Sequence, residues 1–292
     1  MFKGAITAIV TPFSENEGID EQALRNLVKF QIENGIDGIV PCGTTGESPT
    51  LDHEEHQKVI EIAIDAANGK IPVIAGTGSN SLREAIAMTR KAADAGADAS
   101  LQVCPYYNKP TQEGMYRHFS EIAKSVEIPI IIYNIQGRTG INMETGTLAR
   151  LAKEHSNIAG VKEASGNIAQ MMDVISTLPK NFTVLSGDDN LALPLMALGG
   201  KGVISVASNI IPKEMHELTE LASNGRFEEA KKLHYRLLPL FKGIFIETNP
   251  IPIKAALAMK GMIQETYRLP MCRLKQENRE KLKAILSGLK LL

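Results

Sequence analysis

Eight short runs of apolar, largely β-branched residues punctuate the chain between Ala5 and Val206, and helical stripes fill the gaps between them. The runs are Ala5 to Val10, Gly38 to Val40, Val73 to Ala75, Ser100 to Val103, Ile130 to Tyr133, Ile158 to Val161, Thr183 to Leu185 and Val203 to Val206. Each has the length of a strand buried on both faces. Leu24, Leu27 and Val28 fall on one helical stripe, and Val59, Ile62, Ala63 and Ala66 on the next. Gly35, Gly69 and Gly96 stand where helix ends need a left-handed residue, and Ser81 with Glu84 has the spacing of a capping box. Strand–helix alternation at a period of roughly 20 to 35 residues demands a parallel sheet with crossover helices, and eight units close it into an α/β (β/α)8 TIM barrel.

After Pro212 the strand signal stops. Helical patterns cover Glu214 to Ala222, Phe227 to Leu238, Ile253 to Met262 and Gln276 to Leu289. The first completes a barrel over residues 1–224. The rest, 225–292, forms a small C-terminal helical extension, interrupted at Pro239, Pro250 and Pro270 and packed against the barrel.

With 43% hydrophobic residues, 292 positions suffice for a large core. Thirty-two basic against thirty-three acidic residues, without long runs of either sign, give no footprint for nucleic acid or a membrane surface. No stretch reaches the roughly 18 apolar residues of a span, so the chain reads as cytoplasmic and its partners as small molecules. Cys42, Cys104 and Cys272 lie far apart, as free thiols do, and the first two are expected as small buried hydrophobes. His53 and His56 do not have zinc-protease spacing, so no metal site is expected.

In such a barrel the active site lies at the carboxyl ends of the strands. Lys162 closes the sixth run, and Glu163 beside it should point to the opposite face. An ordinary lysine, with pKa of about 10.4, offers roughly one neutral amine in 2,500 at pH 7, so nucleophilic use requires burial or nearby cations. Against this stands the bland reading of a solvated lysine at a strand end. Tyr133, closing the fifth run, can carry protons through hydroxyls such as Thr44 and Tyr107. Gly43-Thr44-Thr45-Gly46 can wrap a carboxylate with backbone amides, and Arg138, in a glycine-flanked loop, can clamp a second one bidentately. Each of these could equally be a plain turn or a surface arginine.

Taken together, Gly43-Thr44-Thr45-Gly46-Glu47, Tyr106-Tyr107-Asn108, Tyr133-Asn134 with Arg138-Thr139-Gly140, Val161-Lys162-Glu163-Ala164, Ser186-Gly187-Asp188-Asp189 and Gly202-Val203-Ile204-Ser205-Val206 resemble the dihydrodipicolinate synthase family. The resemblance extends to Asn249-Pro250-Ile251-Pro252 and Arg268-Leu269-Pro270-Met271. It implies cofactor-free condensation of pyruvate with L-aspartate 4-semialdehyde in the diaminopimelate route to lysine. By that likeness Lys162 forms an imine with pyruvate, and Tyr133, Thr44 and Tyr107 relay protons. Thr45, Gly187 and Ile204 hold pyruvate, and Arg138 receives the semialdehyde's carboxylate. Tyr107 would reach into a neighbouring subunit of a homotetramer. Ser48, Pro49, His53, His56, Asn80, Glu84 and Tyr106 match an inhibitory lysine site; the bland reading of the two histidines is an exposed helix face.

The family usually carries proline where this chain has Gln136, which predicts a more mobile loop around Arg138. Sister pyruvate aldolases, such as N-acetylneuraminate lyase and the keto-deoxy sugar acid aldolases, share the lysine and tyrosine but generally lack this arginine. A catalytically silent barrel that binds a keto acid or amino acid is a further alternative. A third is a pyridoxal phosphate enzyme with its phosphate near Gly199-Gly200, and that protein would be yellow.

Overall fold

The computed structural model describes residues 2–292, and its eight strands are all parallel. They are β1 Gly4–Ala8, β2 Gly38–Val40, β3 Ile74–Gly76 and β4 Ala99–Val103. Then come β5 Ile130–Asn134, β6 Ile158–Glu163, β7 Thr183–Ser186 and β8 Gly202–Ser205. Hydrogen bonds run in the order β2-β1-β8-β7-β6-β5-β4-β3. The remaining gap is closed by a parallel bridge between Ile39 and Val73, with Ile39 N donating to Pro72 O at 3.0 Å and Gly76 N to Pro41 O at 3.0 Å. A Cβ at Gly76 would lie 2.4 Å from Cys42 O, so the closure requires glycine there. The fold is a TIM barrel.

The outer layer contains α1 Glu21–Glu33, α2 His53–Ala67, α3 Leu82–Asp94, α4 Gln112–Ser125 and the single turn α5 Gln136–Thr139. It continues with α6 Thr145–Glu154, α7 Ile168–Thr177, α8 Ala192–Ala197 and α9 Pro212–Ser223. Three further helices follow: α10 Phe227–Gly243, α11 Ile251–Met259 and α12 Gln276–Gly288. Residues of α10 to α12, among them Leu237, Ile253, Leu282 and Leu286, share one continuous core with Ala5, Ile9 and Val10 of the barrel. The lumen holds a smaller cluster that includes Ile6, Ile74, Leu101, Ile131, Tyr133, Leu185 and Ile204.

The three glycines at helix ends have φ of 77°, 68° and 95° and are left-handed. Three other expectations are corrected. Ser81 precedes α3 without a side-chain cap, and Glu84 accepts instead from Ser79 Oγ at 2.8 Å. A capping box does exist, but at Asp52 and Glu55 of α2. Pro239 does not interrupt α10, because it sits on the solvent face, where water can satisfy the carbonyl its ring leaves unbonded. The glycine-flanked loop carrying Arg138 is the helical turn α5, held by Thr139 N to Ile135 O at 3.0 Å and Gly140 N to Gln136 O at 2.9 Å.

Candidate active site

Parallel register places Tyr133 of β5 directly beside Lys162 of β6, and Lys162 beside Leu185 of β7. Side chains at one level of adjacent strands share a face, so phenol and amine both enter the lumen. Lys162 is 5% exposed, and its Nζ lies 4.1 Å from the centroid of the Tyr133 ring. Among the described residues, no carboxylate lies within ion-pair distance of it. Glu163 turns to the outer face, where it accepts from Asn134 Nδ2 at 3.1 Å, Ser165 N at 2.8 Å and Gln170 Nε2 at 3.3 Å. Gly187 makes room for the lysine, since a Cβ there would sit 2.4 Å from Ala164 Cβ and 3.2 Å from Lys162 Cε.

Two adjacent acids follow β7. Burial raises the Asp188 carboxyl to about 6, against the opposing pull of the Lys162 charge. Asp189 is fully buried and accepts from the N–H groups of Val206 at 3.1 Å and Ala207 at 2.9 Å, which fixes the carboxyl end of β8 just beyond Ile204.

The turn after β2 brings Thr44 and Thr45 to the same end of the barrel. Thr45 is buried, and its Oγ1 accepts from Asn249 Nδ2 at 3.0 Å. Neither threonine's backbone N–H has a hydrogen-bond partner among the described residues. Arg138 donates from Nη2 to Asn249 O at 3.2 Å, so one asparagine meets both candidate carboxylate-binding residues. Tyr107 is apart from this group: it is 89% exposed, at φ 67°, and no hydrogen bond joins it or Thr44 to Tyr133 among the described residues.

A cavity of about 400 Å³ extends from Tyr133, Thr44 and Arg138 to Ser48, Pro49, His53, His56, Glu84 and Tyr106. Asn80 sits at its edge and donates from Nδ2 to Tyr106 O at 3.2 Å. The two histidines differ: His53 is exposed and His56 is buried. Cys42 and Cys104 are buried, burial pushes both thiols up, and Cys42 Sγ donates to His56 O at 3.4 Å. Neither is a thiolate nucleophile. Among the described residues, no three His, Cys, Asp or Glu side chains are grouped as metal ligands. Among the described residues, no helix is long and apolar enough to cross a membrane.

Burial, together with the nearby His53, lowers His56 from 6.5 to about 4, so its ring is neutral at pH 7. Between these values the unfolded chain takes up the proton first. Stability contributed by the neutral ring is therefore complete above about 6.5 and is lost as the pH falls toward 4. The loss is on the order of 3 kcal/mol across that window. Asp188, whose value is raised, acts with the opposite sign between 3.8 and about 6, so comparison with a variant is needed. Urea unfolding of wild type and His56→Gln at pH 7 and pH 4.5 should show the wild type losing more stability than the variant on acidification. Parallel losses would contradict the assignment.

Fold and site define a TIM-barrel enzyme whose polar mouth surrounds a buried, unpaired lysine. The model of the dihydrodipicolinate synthetase family matches residues 1–289. The chain belongs to that family, and the family's synthase activity makes it a lyase. It is 59% identical to the 4-hydroxy-tetrahydrodipicolinate synthase of Syntrophus aciditrophicus over 288 residues, 99% of this chain and 98% of that one. Among solved structures, a chloride-inhibited dihydrodipicolinate synthase from Acinetobacter baumannii, complexed with pyruvate, superposes with a TM-score of 0.98 at 46% identity, covering 100% of both chains. The lysine-bound enzyme of Cyanidioschyzon merolae superposes at 0.97 with 43% identity, covering 100% of this chain and 99% of that one.

Proposed function

We propose that the chain condenses pyruvate with L-aspartate 4-semialdehyde to give 4-hydroxy-tetrahydrodipicolinate, the committed chemistry of the diaminopimelate route to lysine. The observation that carries this reading is the unpaired Lys162 amine, buried and 4.1 Å from the Tyr133 ring centroid. The pyruvate complex of the Acinetobacter relative supports the first substrate.

In this reading the neutral amine adds to C2 of pyruvate, and loss of water from the carbinolamine leaves an imine. A proton then leaves C3, the resulting enamine attacks the aldehyde carbon, and the new alkoxide takes a proton. Finally the semialdehyde's own amine displaces Lys162 at C2 and closes the ring. Tyr133 supplies and recovers the protons at each exchange, and the onward relay through Thr44 and Tyr107 is proposed to form when a second copy completes the site. Thr45, Gly187 and Ile204 surround the keto acid, and the family's chemistry needs no metal or organic cofactor. The exposure of Tyr107 suits a residue completed by a second copy, so the proposed assembly is a homotetramer built as a dimer of dimers. Lysine is proposed as feedback inhibitor at the His56 and Glu84 end of the cavity, where Glu84 can pair its ammonium. The lysine-bound Cyanidioschyzon relative supports this.

The rival is a sister aldolase acting on polyhydroxylated aldehydes. Arg138 at the cavity mouth favours a second substrate that carries a carboxylate. Assays with pyruvate and either L-aspartate 4-semialdehyde or a sugar aldehyde separate the two. Turnover is expected with the semialdehyde, and Arg138→Ala should cost about 1.5 to 3 kcal/mol, roughly 10- to 150-fold in its kcat/KM. Preferential use of the sugar aldehyde, or an unaffected variant, would refute the assignment.

A further inference from the structure

The turn after β2 is gripped from the far end of the chain. Glu47 is 2% exposed and adopts φ 53°, a left-handed backbone unusual for a residue with a side chain. Its Oε1 lies 2.5 Å from Nζ of Lys254, a fully buried residue of α11. The ammonium faces the rings of Phe13, 4.3 Å from its centroid, and Tyr267, 5.2 Å from its centroid. One residue earlier, Gly46 O accepts from Thr11 Oγ1 at 2.7 Å, and before it Thr45 Oγ1 accepts from Asn249 Nδ2 at 3.0 Å. Three consecutive residues are each fixed by one contact from outside the turn.

Stability alone does not account for the ion pair. Removing two charges from water costs about as much as their attraction returns, and an apolar pair of equal volume usually does as well. What the pair provides is direction. It fixes Glu47, whose N–H bonds to Thr44 O at 3.1 Å, and Ser48 N bonds to Gly43 O at 3.4 Å. These bonds set the orientation of the peptide units that carry the unpartnered Thr44 and Thr45 N–H groups. The pair is neutral as a whole, so it directs the turn without adding net charge to it.

We infer that Glu47 and Lys254 are positioning residues. They hold the Thr44 and Thr45 amides in place for the keto acid's carboxylate, while Asn249 orients the Thr45 hydroxyl and, through its carbonyl, Arg138. The inference rests on the pyruvate reading of the site.

Lys254→Met alone leaves a buried carboxylate unpaired and should lower both Tm and pyruvate affinity. The double variant Glu47→Gln, Lys254→Met removes both charges and should regain most of the Tm. Its KM for pyruvate is nevertheless expected to stay raised by about 10-fold, with kcat at saturating pyruvate within about threefold of wild type. A double variant that regains Tm and wild-type KM together would show a merely structural pair and overturn the inference. Should the double variant not fold, Asn249→Ala keeps the ion pair and removes only the Thr45 contact. A rise of about threefold or more in pyruvate KM is expected, and an unchanged KM would overturn the inference. Borohydride treatment of the wild type with pyruvate is run alongside. If no adduct forms there, the pyruvate reading itself fails, a result distinct from a failed positioning role.

Discussion

Lys162→Ala is expected to lose at least about 10⁴-fold in kcat, by analogy with other covalent catalysts stripped of their nucleophile, while keeping its fold. The loss is large because no other described amine is placed to replace it. The other fully buried lysine, Lys254, is engaged with Glu47. The fold should survive because Lys162 makes no ion pair that truncation would leave half-buried. Its removal takes a polar group out of the lumen and leaves the Tyr133 to Lys162 backbone register intact. Steady-state rates together with circular dichroism and thermal unfolding check both parts. A variant retaining a tenth of wild-type activity would deny the lysine its role, whatever its stability.

Tyr133→Phe separates the phenol from its ring. The ring packs in the lumen cluster and faces Nζ, so phenylalanine preserves the contact and the register. Only the hydroxyl proposed to carry protons is lost. General acid–base assistance contributes about 10² to 10⁴ in rate, so kcat should fall within that range while pyruvate KM changes little. Rate measurements at saturating pyruvate check this. A decrease below about threefold would move proton transfer to another group, and Asp188 is the first alternative, because burial brings it to about 6 beside the lysine's charge.

The barrel was legible because its strands are buried on both faces, and such strands announce themselves as unbroken β-branched runs. Gly38–Val40 agrees with the sequence reading residue for residue, and the other strands shift by one or two positions at their ends. The placement of the candidate site's main parts was legible for a related reason. Once strand ends are known, Lys162, Tyr133 and the Thr44-Thr45 turn fall at one end of the barrel. What escaped the sequence depends on distant partners or on which face a residue occupies. Pro239 looks like a helix breaker until its solvent position is known. Glu84 has capping spacing, but Ser79 competes successfully for its carboxylate. The Glu47 to Lys254 pair joins positions 207 apart, and Asn249 reaches Thr45 across 204. One local signal did exist: Lys254 interrupts the apolar run Ile253-Lys254-Ala255-Ala256-Leu257, and a lone charge there needs a buried partner.

Every role assigned to the site depends on attack of the Lys162 amine on a keto acid. Borohydride reduction of the wild-type protein with pyruvate, followed by peptide mapping, tests it directly. A single pyruvyl-derived mass increment is expected on the peptide containing Lys162, dependent on pyruvate and absent from Lys162→Ala. An adduct on another lysine, or full activity without any trapped adduct, would contradict it.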